Sequence, residues 1–393
     1  MNKKIAFVAS WYGENIPGGS EAELRDLVHH LQDAGIKLEV LTTCIKSCDK
    51  DLDGNFYKPG VTEENGITVR RFIAEKRFPA HVQRIQLCLD RGRKLCREEE
   101  EIYCREMANS WDMMNYIMKK KEEYGLFVFI PFMRGTTVRG CLISPEKSVI
   151  IPCVHDEPCF DMECLREAYS KVKGMIFHSL PEQRLAEKLY GVKGELFTTL
   201  GEAVETSWRP EPERFRQKYG ITEPFILYAG RKTAGKRLPL LIKCFQEYKK
   251  IHSEQLKLII IGSGITEESD DKDIIDLGFV SQQDKYDAYG AAEFLCNPST
   301  SESFSLVIME SWLAGRPVIV NEQCDVTKHF AVESKGGFTF GEIGDFIKKA
   351  EKLLNDPVLA SEMGENGKKY VMNNFSWDVI EKRYMEYFER AGI

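Results

Sequence analysis

No run in this chain of 393 residues approaches the roughly 20 consecutive apolar residues that a membrane-spanning helix needs. Nor is there a basic excess: 54 lysines and arginines face 61 aspartates and glutamates, a formal charge of −7, which argues against a nucleic-acid partner. The first residues, Met1-Asn2-Lys3-Lys4-Ile5, lead straight into an apolar run rather than a signal peptide, so a cytoplasmic protein is expected. The 12 cysteines contain no Cys-x-x-Cys pair, and the groupings Cys44/Cys48 and Cys153, Cys159, Cys164 lack zinc-finger spacing. Reduced, mostly buried thiols are expected, with Cys88, Cys96 and Cys104 lining one side of helical segments. A Gly-x-Gly-x-x-Gly fingerprint is missing too, which disfavours a dinucleotide-dependent dehydrogenase. The acidic stretch from Asp49 to Gly54 imitates a calcium loop, but its twelfth position is Gly60 where a bidentate glutamate is needed.

What is present is a repeated alternation of buried strands and amphipathic helices. The length exceeds what one core usually serves, so two domains are expected. Lys4 to Ser10 reads as a strand buried on both faces. A loop from Trp11 to Ser20 follows, then a helix with Leu24, Leu27, Val28 and Leu31 on one face, then a strand over Lys37–Thr43. This βαβ opening puts the loop, with its Gly18-Gly19 pair, at the carboxyl edge of a parallel sheet, where ligands bind. Alone, the pair is as well read as a flexible turn. Residues 78–123 read as charged helices with a solvated face. Strands over 126–130, 148–152, 174–178 and 194–198 complete the first sheet, the second of them delivering His155-Asp156. A lone histidine is usually structural, but this one lies where a cleft should open. The segment from Ala203 to Pro212 reads as a hinge.

A second series begins with a strand over Phe225–Ala229, followed by the basic loop Gly230 to Arg237 and a helix carrying Leu240, Leu241 and Phe245. Strands over 256–261 and 274–280 come next, the first ending in Gly262-Ser263-Gly264. Then Phe294-Leu295-Cys296 leads through a serine-rich turn into a helix with Leu306, Met309 and Leu313, stopped by Gly315 and Pro317. Glu302 precedes that helix and Glu310 lies eight residues further on, about two helical turns away. By itself Glu302 is an ordinary acid at a helix's positive end, and Arg231 and Lys236 are by default a solvated pair. At such a loop edge the two cations can also clamp a diphosphate. The closing segment, Phe375 to Phe388, reads as an amphipathic helix with Ser376 as its cap.

Gly18-Gly19 before the first helix, His155-Asp156, Gly230-Arg231 with Lys236, Gly278-Phe279-Val280, and the pair Glu302 and Glu310 occur in one order. Together they resemble the GT-B glycosyltransferases of family GT4, retaining enzymes that use nucleotide-diphosphate sugars. The resemblance is most specific from Phe225 to Val320. It implies an α/β chain of two Rossmann-like, doubly wound parallel-sheet domains facing a central cleft. Residues 1–205 would bind the acceptor, 206–374 the nucleotide sugar, and the helix of 375–393 would cross back towards the first domain.

The resemblance also implies roles. Arg231 and Lys236 would neutralise the diphosphate, helped by the amides of Gly19 and of the Ser305-Leu306 turn. Glu310 would take the ribose hydroxyls, and the backbone near Val280 would meet the base. Glu302 would lie against the donor sugar and His155 near the reacting centre, so the catalytic set is His155, Glu302, Arg231 and Lys236. Gly18, Gly264 and Phe304 complete the donor-binding set. Family members commonly carry glycines where this chain has Ser303 and Ser305. The implied reaction moves a hexose from a nucleotide-diphosphate sugar, UDP favoured and GDP next, to a glycan acceptor in bacterial surface polysaccharide or glycolipid synthesis. No cofactor and no essential metal are expected, an Asp-x-Asp motif being absent where the chemistry should occur. A lipid-linked acceptor at the inner face of the plasma membrane is compatible with the first-domain helices. The alternatives are transfer to a small soluble acceptor and a non-catalytic GT-B binding subunit.

Overall fold

The computed structural model describes residues 3–14, 16, 18–46, 54–131, 133–253, 255–264 and 271–393; the acidic stretch 49–53 lies outside them. The chain divides into two compact units, Met1–Ala203 with Ile380–Ile393, and Val204–Val379.

The first unit runs β1 (Lys4–Ala9), α1 (Gly19–Asp33), β2 (Leu38–Thr43), β3 (Gly60–Glu64), β4 (Ile67–Phe72), α2 (Pro79–Asp90), α3 (Arg97–Glu106), α4 (Trp111–Lys120), β5 (Tyr124–Ile130), α5 (Gly135–Gly140), β6 (Ser148–Ile150), α6 (Glu163–Tyr169), β7 (Gly174–Phe177), α7 (Leu180–Tyr190) and β8 (Phe197–Thr199). Its sheet has the order β3-β4-β2-β1-β5-β6-β7-β8. All pairs are parallel except β3 with β4. The central strands β1 and β5 are buried almost throughout, because helices cover both faces of a parallel sheet. The β3–β4 hairpin is not among the strands expected from the sequence. Its outer strand is almost wholly exposed and offers no apolar alternation. The signal it does carry is Asn65-Gly66, with φ of 49° and 83°, the pair of positive angles that a tight hairpin turn needs.

The helices of 78–123 break between Arg91 and Cys96, and this resets their phase. The expected cysteine stripe is therefore not formed: Cys88 is half-buried, Cys96 is exposed, and Cys104 is buried with its sulfur 3.7 Å from that of Cys164.

The second unit runs α8 (Pro212–Tyr219), β9 (Phe225–Ala229), α9 (Leu238–Ile251), β10 (Lys257–Ile261), β11 (Ile274–Gly278), α10 (Gln282–Ala291), β12 (Phe294–Asn297), α11 (Leu306–Leu313), β13 (Val318–Asn321), α12 (Asp325–Ser334), β14 (Gly337–Phe340), α13 (Ile343–Asn355) and α14 (Pro357–Asn374). Its sheet is parallel, in the order β11-β10-β9-β12-β13-β14. Helix α11, which follows the loop bearing Glu302, is fixed from behind by α14. Trp312 of α11 is fully buried and donates its indole N–H to the Gly336 carbonyl at 2.8 Å. Glycines on α14 make this approach possible: a Cβ on Gly364 would fall 2.0 Å from the Gly315 carbonyl oxygen, and one on Gly367 2.2 Å from the Trp312 ring.

The last helix, α15 (Trp377–Arg390), belongs to the first unit from Ile380 onward. It buries Ile380, Tyr384, Tyr387 and Phe388, and Arg383 and Tyr387 donate to the carbonyls of Leu200 and Leu196 at 2.7 and 2.9 Å. The return of the closing helix to the first domain is thus as the sequence resemblance implies.

Gly367→Ala places a methyl inside the Trp312 ring contact, and overpacking of this kind costs ~1–3 kcal/mol. The midpoint of denaturant unfolding of the second unit should fall accordingly, as followed by Trp312 fluorescence; an unchanged midpoint contradicts the packing described.

Candidate functional site

In an open α/β sheet, ligands bind beyond the carboxyl ends of the strands where the winding reverses. In the second unit that point lies between β9 and β12, since the chain proceeds from β9 to β10 and β11 on one side and from β12 to β13 and β14 on the other. The loops leaving these two strands are tied together. Thr300 N–H and the Ser299 hydroxyl both donate to the Gly235 carbonyl, at 3.1 and 3.3 Å. The tie sets Lys236 against Glu302, with the ammonium 2.7 Å from each carboxylate oxygen. Glu302 is only 10% exposed, so the pair is screened less than a surface ion pair would be. Asn297, at the end of β12, turns its amide N–H groups toward Glu302 and the Ser305 hydroxyl, at 3.4 and 2.9 Å.

Ser305 has φ of 100°, a backbone conformation in which glycine is at ease and a side chain is not. The geometry therefore explains why a glycine is the usual occupant there. Leu306 opens α11, whose first N–H groups lack acceptors one helical turn back. Phe304 does not present its ring to a ligand. It is buried edge-on against Phe330 and Phe375, leaving only its backbone for donor binding.

Arg231 is exposed, one residue beyond Gly230 at the end of β9. Its neighbour Lys232, which the sequence reading passes over, is instead consumed internally: its ammonium lies 2.7 and 2.6 Å from the two oxygens of Asp276. Gly264 sits against the Lys232 backbone, where a Cβ would come within 3.2 Å of the amide nitrogen. Glu310 is buried, and its carboxylate already takes the Lys285 ammonium and the Tyr289 hydroxyl, the latter at 2.8 Å. Burial, and next the Glu310 charge, push the Tyr289 phenol well up, so it stays a donor. Val280 is half-buried just past β11, while its neighbour Phe279, part of the same landmark but given no role from the sequence, is 82% exposed.

The first unit reverses between β1 and β5. Gly18 caps α1 with φ of 142°, and a Cβ there would fall 1.9 Å from a Glu21 oxygen. Gly19 differs: a Cβ on it would meet nothing within 4 Å. The fold demands the first glycine and leaves the second open to an approaching group. The loop before them is held by Arg25, which donates to the carbonyls of Gly13 and Ile16, and by Trp11, which donates to Glu21 at 2.7 Å. His155 is half-buried beyond β6, its Nδ1 3.3 Å from Glu157 and its ring edge-on to Phe160.

Behind His155 lies a buried polar group that no motif announces. Glu182, on α7, accepts the backbone N–H groups of Val154 and His178 at 2.7 and 2.6 Å, so it pins the ends of two neighbouring strands. His178 in turn reaches Glu23 on α1, Nε2 to carboxylate oxygen 2.7 Å. Burial alone would pull the His178 imidazole down, but the Glu23 and Glu182 charges prevail and raise it to about 10. Burial raises the Glu182 carboxyl to about 7, against the pull of His178 and the two amides.

Residues 211–370 match the model of the family described as glycosyl transferases group 1. An uncharacterized glycosyltransferase of Methanocaldococcus jannaschii is 28% identical over 200 residues, 48% of this chain and 50% of that protein. The capsular polysaccharide biosynthesis glycosyltransferase CapM of Staphylococcus aureus is 30% identical over 45% of this chain and 51% of its own length. The chain thus spans about half the length of the curated relatives it matches. Among solved structures, Anabaena HepE in complex with UDP and glucose superposes with a TM-score of 0.70 at 16% identity, covering 99% of this chain and all of that one. That likeness fixes the fold as GT-B.

The two glycines should separate cleanly. Gly18→Ala, in a conformation closed to side chains and against Glu21, should lower unfolding stability by at least ~1 kcal/mol. Gly19→Ala, at the first position of α1 with open space around it, should leave stability within ~1 kcal/mol of the parent or raise it. Equal losses in chemical denaturation would remove the distinction.

Proposed function

We propose that this chain, whose residues 211–370 match the glycosyl transferases group 1 model, transfers a hexose from a nucleotide-diphosphate sugar to a glycan acceptor with retention at the anomeric carbon. The observation that carries this is the meeting of Lys236 and Glu302 at the winding reversal of the second sheet, between two loops clasped at Gly235. A cation held by a carboxylate at that place is poised to receive a diphosphate while the carboxylate turns toward the sugar. Arg231, exposed in the same loop, supplies the second positive charge. The name of the capsular relative and the UDP and glucose in the solved neighbour favour a UDP-sugar and a surface-polysaccharide acceptor.

The chemistry follows from charge. Breaking the bond between the anomeric carbon and the diphosphate oxygen leaves positive character on the sugar ring and negative charge on the departing group. Arg231, Lys236 and the first amides of α11 stabilise that charge in place of a metal, so no divalent cation is needed for departure. In a front-face reaction the acceptor oxygen bonds to the anomeric carbon on the side the diphosphate leaves, and its proton passes to the leaving phosphate oxygen. Glu302 serves the donor sugar electrostatically, Glu310 the ribose by exchanging its bond with Lys285, and Phe279 with the Val280 backbone the base. The first unit takes the acceptor, with His155 on its strand edge and open space beside the Gly19 Cα. A covalent glycosyl adduct trapped on Glu302 would replace this mechanism by a double displacement.

Lys236→Ala and Arg231→Ala should each reduce kcat/KM for a nucleotide sugar by an amount equivalent to ~2–4 kcal/mol, as for loss of an oxyanion-hole donor. Near-parental turnover in both would remove the diphosphate clamp. In thermal-shift measurements without magnesium, UDP at a hundredfold excess over its dissociation constant should stabilise the protein by ~2.7 kcal/mol. A response only with magnesium present would contradict metal-free donor binding, and a response to GDP or ADP alone would reassign the base.

A further inference from the structure

Three side chains of different chemistry meet in the first unit, away from any motif. Glu23 comes from the second turn of α1, Cys153 from the loop beyond β6, and His178 from the residue after β7. One carboxylate oxygen, the thiol sulfur and one imidazole nitrogen all lie within 4.8 Å of one another. We propose that these residues form a binding site for a single zinc-class divalent cation, serving to fix the three strand and helix ends rather than to activate the sugar donor.

The donor set itself points to that class of ion. A thiolate selects soft and borderline metals, imidazole and carboxylate suit zinc, and three protein ligands leave a fourth position for water or a further carboxylate. The surroundings have the form of a metal site's outer layer. Glu182, held by the N–H groups of Val154 and His178, lies 3.6 Å from His178 Nδ1. That is an ion-pair distance rather than a hydrogen bond, and it places a carboxylate on the side of the ring away from Nε2, where metal-bound histidines commonly have one. Nε2 does point at Glu23. Charge argues the same way. Glu202, also buried, interacts electrostatically with Glu23, Glu182 and His178, so three carboxylates surround one imidazole. One ion pair offsets one of them, and a cation bound among the other two would offset their mutual repulsion. Cys153 is half-buried as a residue, whereas Glu23 and His178 are buried.

An ion here would join α1, which begins at Gly19, to the loop that carries His155. Neither connection is made by the sheet ladder, which ends at Ile150 and Phe177. Binding would displace the proton shared by His178 and Glu23 and ionise the thiol, so protons are released as the metal enters.

The test uses the full chain, stripped with a chelator and titrated with cobalt(II) alone. One equivalent should bind, with a thiolate-to-cobalt charge-transfer band that zinc then abolishes, and zinc should raise the melting temperature by a few degrees, roughly the effect of a ligand well above its dissociation constant. Cys153→Ser should lose the band, Cys96→Ser should keep it, and Glu23→Gln should weaken binding about tenfold or more, the scale seen for altered metal surroundings. If Cys153→Ser proves unfolded by circular dichroism, Glu23→Gln carries the same comparison. A parent protein that takes up no cobalt at micromolar concentration, or a band that persists in Cys153→Ser, overturns the proposal and leaves a buried ion pair. None of these readings depends on sugar transfer, so failure here is separate from failure of the proposed activity.

Discussion

The bond from the Lys236 ammonium to both oxygens of Glu302 joins loops that leave neighbouring strands wound in opposite directions. Loops at such a reversal diverge, and without a tie the space between them would be open to water and poorly defined. Here Gly235 supplies the tie through its carbonyl, and the adjacent lysine lands on the acid as a consequence. Other features support that contact. Asn297 steadies the acid, α14 fixes α11 through Trp312, and Ser305 accepts an unfavourable backbone angle so that α11 can start where it does. Local strain at such a position persists because the surrounding packing over-determines it.

The same economy of charge distinguishes neighbouring residues. Arg231, Lys232, Lys236 and Arg237 lie in one short basic loop, yet only the two arginines remain exposed. Lys232 is buried against Asp276 and holds the β9 loop to β11, while Lys236 is half-way between these states. A loop that left all four cations free would pay for their mutual repulsion with disorder. Neutralising one internally and pairing another leaves a positive edge that is still well ordered, which is what an anionic ligand needs for tight, oriented binding.

In the first unit the polar interior plays the corresponding part. Glu182 uses both carboxylate oxygens on backbone amides of adjacent strand ends, a role usually filled by a helix cap or a ladder bond. That leaves His178 and Glu23 to bridge from the sheet to α1. Loops beyond strand ends are otherwise the most mobile part of an α/β sheet. Those carrying His155 and the glycine pair are anchored within a few residues of their tips.

The alternation of apolar runs with amphipathic segments fixed the two parallel-sheet units in advance, because a strand buried on both faces and a helix buried on one leave different periods in the chain. Gly18 before α1, the basic loop after β9 and the two glutamates around α11 were likewise legible, each being a residue type at a strand's carboxyl end. Phe304 and Glu310 were legible only as positions. Tertiary packing turned the ring of the first into the core and gave the second to Lys285 and Tyr289. The hairpin of β3 and β4 carried only its Asn65-Gly66 turn, since an exposed edge strand has no burial pattern to read. The meeting of Glu23, Cys153 and His178 left no trace in the spacing of cysteines. Its members come from segments 130 and 25 residues apart, and only the parallel crossovers that stack β1, β6 and β7 in one sheet bring their ends together.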